Sequence, residues 1–206
     1  VTPDPGRALN IVFDLGGVVV RWEPDAIIAS AFADPAVQAL VRTQILGHPD
    51  WLALDRATLT DKEVIARAAQ RTGLPEPEVS RFIRGVPHQL VAIPDTVELL
   101  YRLKAKGHPL YCLSNMPAIS IVHLEQAYAF WDVFTGVVIS SRLQLCKPEP
   151  AIYEHLLREY GLAAAETVFI DDVDVNLTAA RRIGMHAIRF ESAAQCERDL
   201  RLLGCG

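Results

Sequence analysis

Four stretches of this 206-residue chain carry an apolar run up to a group that can do chemistry. Ile11-Val12-Phe13 runs into Asp14, followed by Gly16 and Gly17. Tyr111-Cys112-Leu113 runs into Ser114 and Asn115. The loop after a run of valines and isoleucine (residues 137–139) leads to Lys147. Val168-Phe169-Ile170 runs into Asp171 and Asp172. If these stretches are neighbours, three carboxylates, a hydroxyl and an ammonium converge. Carboxylates crowded together repel and raise one another's pKa unless a cation joins them. Hard oxygen ligands suit magnesium, which keeps several waters and takes one or two carboxylates plus phosphate oxygens. Ser114, Asn115, Lys147 and the backbone N–H of Gly17 then suit an anionic group on a substrate.

Such a convergence needs strands that end at one edge. From residue 91 onward the chain alternates helical periods with short apolar runs. IPDTVELLYRLKAKG, AISIVHLEQAYAF, EPAIYEHLLREYG, VNLTAARRIG and AAQCERDLRLLG read as helices. The runs between them are apolar throughout, as expected of parallel strands covered on both faces. Ligands of such a sheet bind outside the carboxyl ends of its strands. Residues 22–90 show helical periods (PDAIIASAFA, PAVQALVRTQIL, TDKEVIARAAQ, EPEVSRFIRGV) and no convincing strand. The expected fold is therefore α/β, a doubly wound parallel sheet with a small all-helical insertion after its first strand. The expected division is a core of 1–21 and 91–206 and a helical cap of 22–90.

Composition narrows the partners. Half of the residues are apolar and the net charge is −5, which argues against nucleic acid, since a binder carries a basic face. No apolar run approaches the roughly 20 residues that span a bilayer, so no membrane association is expected. The N-terminal VTPDPGRALN lacks the basic and apolar regions of a signal peptide. Cys112, Cys146, Cys196 and Cys205 form no CxxC pair, and free thiols in a reducing cytoplasm are expected. Cys205, near the end, is open to exposure. The six histidines make no zinc-type cluster.

FDLGGVVV (13–20), CLSN (112–115), KPEPAIY (147–153) and VFIDDVDVN (168–176), in that order, resemble the motifs of the haloacid dehalogenase-like hydrolase superfamily. The resemblance covers essentially the whole chain and implies a Rossmann-like core. The DLGGV form and the helical insertion resemble the helical-cap subgroup, which includes small sugar-phosphate phosphatases. The resemblance implies a magnesium-dependent phosphatase acting on a small phosphorylated metabolite, as a monomer or homodimer. Asp14 would be the nucleophile and form an aspartyl-phosphate. Ser114 would hydrogen-bond a transferring oxygen, and Lys147 would neutralise its charge and hold Asp14. Asp14, Asp172 and the main-chain carbonyl of Gly16 would bind magnesium. Asp171 would be a ligand through water or an orienting group, and Asn176 would orient the loop. The Lys147-Pro148 bond would be cis.

One position departs from the pattern. Phosphatases of this superfamily carry a second aspartate two residues after the nucleophile, which protonates the leaving oxygen and later activates water. Such help is worth about 10²–10⁴-fold. Here that position is Gly16. Three readings remain open: a phosphatase that obtains its proton elsewhere; a 2-haloacid dehalogenase-type hydrolase, whose halide needs no proton; and a catalytically weakened homologue that binds a ligand or partner. Against the second, dehalogenases use no metal and carry a Ser-x-Asn pattern where this chain has Asp171-Asp172. Glu23, His48, Asp50 and Asp55 in the insertion are the candidate proton sources. More ordinary roles are also expected: a turn at Gly16-Gly17, a helix cap at Asp174, and packing for Trp22, which can also line the cleft. WLALDRATLT resembles a cap segment in which relatives often have Gly at the position of Ala57. The insertion itself is expected to act as a lid.

Overall fold

The computed structural model describes residues 9–205, so positions 1–8 of the expected core, most of the stretch weighed as a leader among them, lie outside the described residues. The strands are β1 (Asn10–Phe13), β2 (Leu110–Ser114), β3 (Phe134–Ile139), β4 (Thr167–Asp171) and β5 (His186–Arg189). Between β1 and β2 lie α1 (Pro24–Ala31), α2 (Pro35–Val41), α3 (Pro49–Asp55), α4 (Asp61–Thr72), α5 (Glu76–Gly85) and α6 (Pro94–Ala105). The rest are α7 (Ala118–Ala127), α8 (Ser140–Leu143), α9 (Pro150–Glu159), α10 (Asp174–Ile183) and α11 (Ala193–Leu202).

All five strands pair in parallel, in the order β3-β2-β1-β4-β5. The chain builds outward from β1 on one side, then crosses back to build on the other. The order therefore reverses beside β1, where such sheets open a crevice. Register does the rest. Phe13 is level with Cys112 on one side and Ile170 on the other. One residue further along, Asp14, Leu113 and Asp171 share the same edge.

Alternation of side chains splits the core in two. Ile11, Phe13, Cys112 and Ile170 face α6 and α11, packing on Leu99, Leu103, Cys196 and Leu200. Val12, Tyr111, Leu113 and Phe169 face α9 and α10, packing on Ile152, Tyr153, Leu156 and Leu177. Each fully buried aliphatic or aromatic side chain here contributes about 1.5–3 kcal/mol relative to exposure. With both faces covered, the strands can be apolar throughout.

The insertion has its own apolar cluster, from Ile27 and Ile28 on α1 to Val79, Phe82 and Ile83 on α5. Thr60 and Glu63 form a reciprocal cap at the start of α4. Asp50 on α3 accepts from Arg71 on α4 at 3.0 Å, fastening those helices together. The chain leaves and re-enters the core side by side: the Arg21 N–H donates to the Val91 carbonyl at 2.8 Å, and Val20 bridges Ala92 antiparallel.

Two local expectations change. Asp174 does not cap α10: Val173 holds the cap position and Asp174 pairs with Arg189 at 2.6 Å. The Asp171 carboxylate takes the nearby Val173 N–H instead. Cys205 is 1% exposed, because its N–H turns back to the Leu200 carbonyl and tucks the thiol under α11. The helix α3 interrupts WLALDRATLT, a segment with no clear helical period. All four cysteines are free and buried, and among the described residues no helix is long and apolar enough to cross a membrane.

Candidate active site

The turn after β1 presents Asp14. Its Oδ1 accepts from the Leu15 N–H at 2.7 Å, and the Leu15 carbonyl accepts from Val19 and Val20. Gly17 sits at φ +76°, and a Cβ there would lie 2.3 Å from Asp172 Oδ2. Only glycine lets the turn come that close to the second carboxylate. Gly16 is different. A Cβ there would meet only Trp22, at an ordinary 3.7 Å, so neither sterics nor backbone requires glycine at this position.

Lys147 is 3% exposed and bridges two carboxylates, with Nζ 2.9 Å from Asp14 Oδ1 and 2.6 Å from Asp171 Oδ2. Its stem reaches in from a cis Lys147-Pro148 bond, as expected, and its ammonium lies 5.2 Å from the centre of the Phe169 ring. Asn115 lines the cavity, but its amide is committed to the Lys147 backbone. Oδ1 accepts the Lys147 N–H at 2.8 Å and Nδ2 donates to the Lys147 carbonyl at 2.9 Å. It braces the lysine. Ser114, 1% exposed, ends β2 beside Asp14 and caps no helix, since Pro117 holds the cap position of α7.

Asp171 is fully buried and fully used. Besides Lys147 it accepts from the Val173 N–H at 2.8 Å and from Asn176 Nδ2 at 3.0 Å. Asn176 is in turn fixed by its carbonyl, which accepts from the Tyr153 hydroxyl at 3.0 Å. Asp172 is half-buried and lies against Gly17. Carboxylate oxygens of Asp14, Asp171 and Asp172 lie within 4.8 Å of one another.

These charges do not balance. Three carboxylates face one ammonium, and burial holds the Asp14 carboxyl up at about 7, with Asp171 adding to the shift and Lys147 and Ser114 opposing it. Burial and Asp171 likewise raise Asp172. Burial works against the charge of Lys147, but its two carboxylate partners outweigh it and hold its pKa above the ordinary lysine value. A divalent cation on Asp14 and Asp172 would supply the missing positive charge. The donors are hard oxygens, and Gly16 lines the same cavity. The residues present fit magnesium.

The site forms the floor of a cavity of about 440 Å³. Its roof comes from the insertion: Trp22, Leu46, Trp51, Leu52, Val86 and Leu90, with Asp55 among them. Trp22 and Trp51 stack with ring centres 6.3 Å apart. Of the four candidate proton sources, three are elsewhere. Glu23 is exposed and pairs with Arg21. His48 Nδ1 accepts the Asp50 N–H at 3.1 Å and so starts α3. Asp50 is held by Arg71. Asp55 alone lines the cavity, with its carboxyl pushed up to about 8 by burial and then by the charge of Asp14, against Lys147.

A family model described as "haloacid dehalogenase-like hydrolase" matches residues 10–184. The chain belongs to that family. Within it, the chain is 29% identical over 195 residues to the sesquiterpene phosphatase astK of Aspergillus oryzae, covering 94% of this chain and 96% of the relative. It is 25% identical over 220 residues to acyl-CoA dehydrogenase family member 10 of Mus musculus, covering 98% of this chain but only 20% of that longer protein. Among solved structures, the HAD family enzyme bt-2542 of Bacteroides thetaiotaomicron, in complex with magnesium and inorganic phosphate, superposes with a TM-score of 0.73 at 23% identity. The match covers 90% of this chain and 95% of that one. This last likeness shows the fold. The haloacid dehalogenase-like hydrolase is thus read from the match over residues 10–184 together with a sheet edge that carries its four motifs.

Proposed function

We propose that this hydrolase is a magnesium-dependent phosphomonoesterase that acts through an aspartyl-phosphate on Asp14 and takes small organic phosphates with an apolar leaving group. The observation that carries the reading is the Lys147 ammonium seated between Asp14 and Asp171, with Asp172 beside them, on the floor of a cavity. Asp14, Asp172 and the Gly16 carbonyl would hold the metal. Bound there, magnesium supplies charge neutralisation for a phosphoryl group and for the carboxylates around it. Lys147 and Ser114 point donors at the oxygens of that group, and Asp14 attacks phosphorus in line. Phosphoryl transfer asks mostly for positioning and charge stabilisation, and this floor offers both.

The roof bears on the substrate. A sugar phosphate, expected from the resemblance, needs several hydroxyl partners, and the insertion side chains on the cavity offer only the Asp55 carboxyl and two indole N–H groups among apolar surface. Burying a hydroxyl without a partner costs about 1–3 kcal/mol. Stacked Trp22 and Trp51 suit a terpenoid, aryl or other apolar group, and a relative named as a sesquiterpene phosphatase is in keeping with that. The paired Asp171-Asp172 weighs against a dehalogenase, which works without a cation.

The purified protein is to be assayed with prenyl, aryl and sugar phosphates, with magnesium and with chelator. Turnover that chelator stops, with kcat/KM for apolar esters at least about tenfold above that for sugar phosphates, is the expected result. Metal-independent halide release from 2-haloacids, without phosphate release, would sink the reading.

A further inference from the structure

We propose that Asp55 is the general acid–base of this enzyme, supplied by the insertion in place of the carboxyl that Gly16 lacks. The inference rests on the phosphomonoesterase reading and adds to it the group that handles the proton.

The first observation is placement. Asp55 is the last residue of α3, and the insertion brings it to the lining of the same cavity as Asp14, Ser114 and Lys147. A leaving group carried in that cavity lies within the space that Asp55 helps to line. Among the described residues its carboxyl makes no hydrogen bond and no ion pair, so it is not consumed by a structural task. Asp50 and Glu23, the other acids considered in the insertion, are both so consumed.

The second observation is how firmly the core holds it. The Asp55 carbonyl accepts from Ser140 Oγ at 2.6 Å, and the same oxygen accepts the Met116 N–H at 2.8 Å. Ser140 opens α8, directly after β3, and Met116 follows Ser114 by two residues. The next residue, Arg56, forms a forked ion pair with Glu149, two residues beyond Lys147. Ala57 then turns the chain away at φ +56°. The segment bearing Asp55 is thus tied to the two core loops that deliver Ser114 and Lys147. A residue on a free lid has no need of such ties.

The third observation is chemical suitability. Two carboxyls of one cavity occupy different settings. Asp14 has the Lys147 ammonium 2.9 Å away and is held by it. Asp55 has no cation within bonding reach, and burial raises its carboxyl above the ordinary range. An ammonium-held carboxyl suits attack, and an unpartnered one in the same cavity is free to transfer a proton.

The proton count closes. In the first half, the Asp14 carboxylate bonds to phosphorus, the ester P–O bond breaks, and the departing oxygen takes the Asp55 proton. An alcohol leaves, with aspartyl-phosphate and an Asp55 carboxylate behind. In the second half, Asp55 takes a proton from water as its oxygen bonds to phosphorus. The Asp14 carboxylate is released with inorganic phosphate, and Asp55 is protonated again.

The test is leaving-group dependence, in the presence of magnesium, for the wild type, Asp55→Asn and the double variant Asp55→Asn/Gly16→Asp. The probes are p-nitrophenyl phosphate, whose leaving group departs without a proton, and 2-phenylethyl phosphate, whose alkoxide does not. Asp55→Asn is expected to lower kcat on the alkyl ester by about 10²–10⁴-fold and on the aryl ester by a clearly smaller factor. Gly16→Asp fits sterically beside Trp22 and is expected to return most of the lost alkyl activity. A purely structural role for Asp55 would give equal losses on both esters and no rescue, and either result overturns the proposal. Should Asp55→Asn fail to fold, the wild type still decides: near-equal kcat on the two esters supports an acid in place, and a steep preference for the aryl ester refutes one. If the wild type hydrolyses both esters but the variants do not discriminate, Asp55 alone is wrong. If it hydrolyses neither, the phosphomonoesterase reading falls, and this inference with it.

Discussion

The floor and the roof of the cavity are built on opposite plans. The floor is a dense lattice of charge: Lys147 between Asp14 and Asp171, Asp171 saturated by Val173 and Asn176, and Asn115 bracing the lysine backbone. Every group there is positioned by the end of a strand or by a neighbour that is. The roof is apolar and sparse, with one acid. The contrast separates two tasks. On the proposed reading, a fixed floor suits one reaction for any ester that fits, and the roof decides which esters fit and whether their leaving group is protonated.

The largest expected effect strikes the floor. Asp14→Asn removes the nucleophile, and kcat should drop at least about 10⁴-fold on every ester alike, read as phosphate release. A substrate-dependent loss would mean that the division between floor and roof is wrong. A roof change should do the reverse. Trp51→Ala is expected to raise KM for prenyl or arylalkyl phosphates by about 10–200-fold and to leave methyl phosphate within a few-fold. Smaller again is the effect of loosening their joint. Ser140→Ala leaves the Met116 N–H and the Asp55 carbonyl without their shared partner, a cost of about 1–3 kcal/mol. We expect kcat on alkyl esters to fall about tenfold more than on aryl esters, with the melting temperature lowered by a few degrees.

The smallest effect concerns pH and stability of the metal-free protein. The folded pKa of Asp55 is raised to about 8 from an ordinary 3.8. The folded state therefore holds its proton more tightly than the unfolded chain. The stability this contributes is fully present below the unfolded value and is lost as pH rises through the folded one. The melting temperature should decline between about pH 4 and pH 8. In Asp55→Asn the decline should be shallower, since Asp14 then remains as the main contributor. An unchanged slope would show that Asp55 ionises freely in the folded protein.

The floor was legible in the sequence because each of its groups ends an apolar run, and parallel strands in register bring such ends together. The helical periods of α4, α5, α6, α9 and α10 were legible for the same kind of reason, each burying one face. The roof was harder. The helix α3 is seven residues long and starts at Pro49, too short for a period to show. Asp55 could be named only as one acid of several, because its placement depends on Ser140 and Glu149, which lie 85 and 93 residues from Asp55 and Arg56 respectively. The one local signal was Ala57, where relatives often have Gly and where φ is +56°. Asn115 was expected on the substrate, and its bond to Lys147 spans 32 residues, a partner no local pattern displays. Asp174 was the obvious helix cap by spacing, but Asp171 reaches the relevant N–H from the strand end.

The insertion is sewn to the sheet along one seam, where Arg21 and Val91 run side by side. Away from that seam, one serine hydroxyl and one arginine–glutamate pair act as its buttons. A third contact sets His88 of the insertion against His123 of α7, with ring centres 4.4 Å apart. The serine and arginine bonds also set Asp55 in place, so on the proposed reading the joint that closes the pocket is the one that aims its acid.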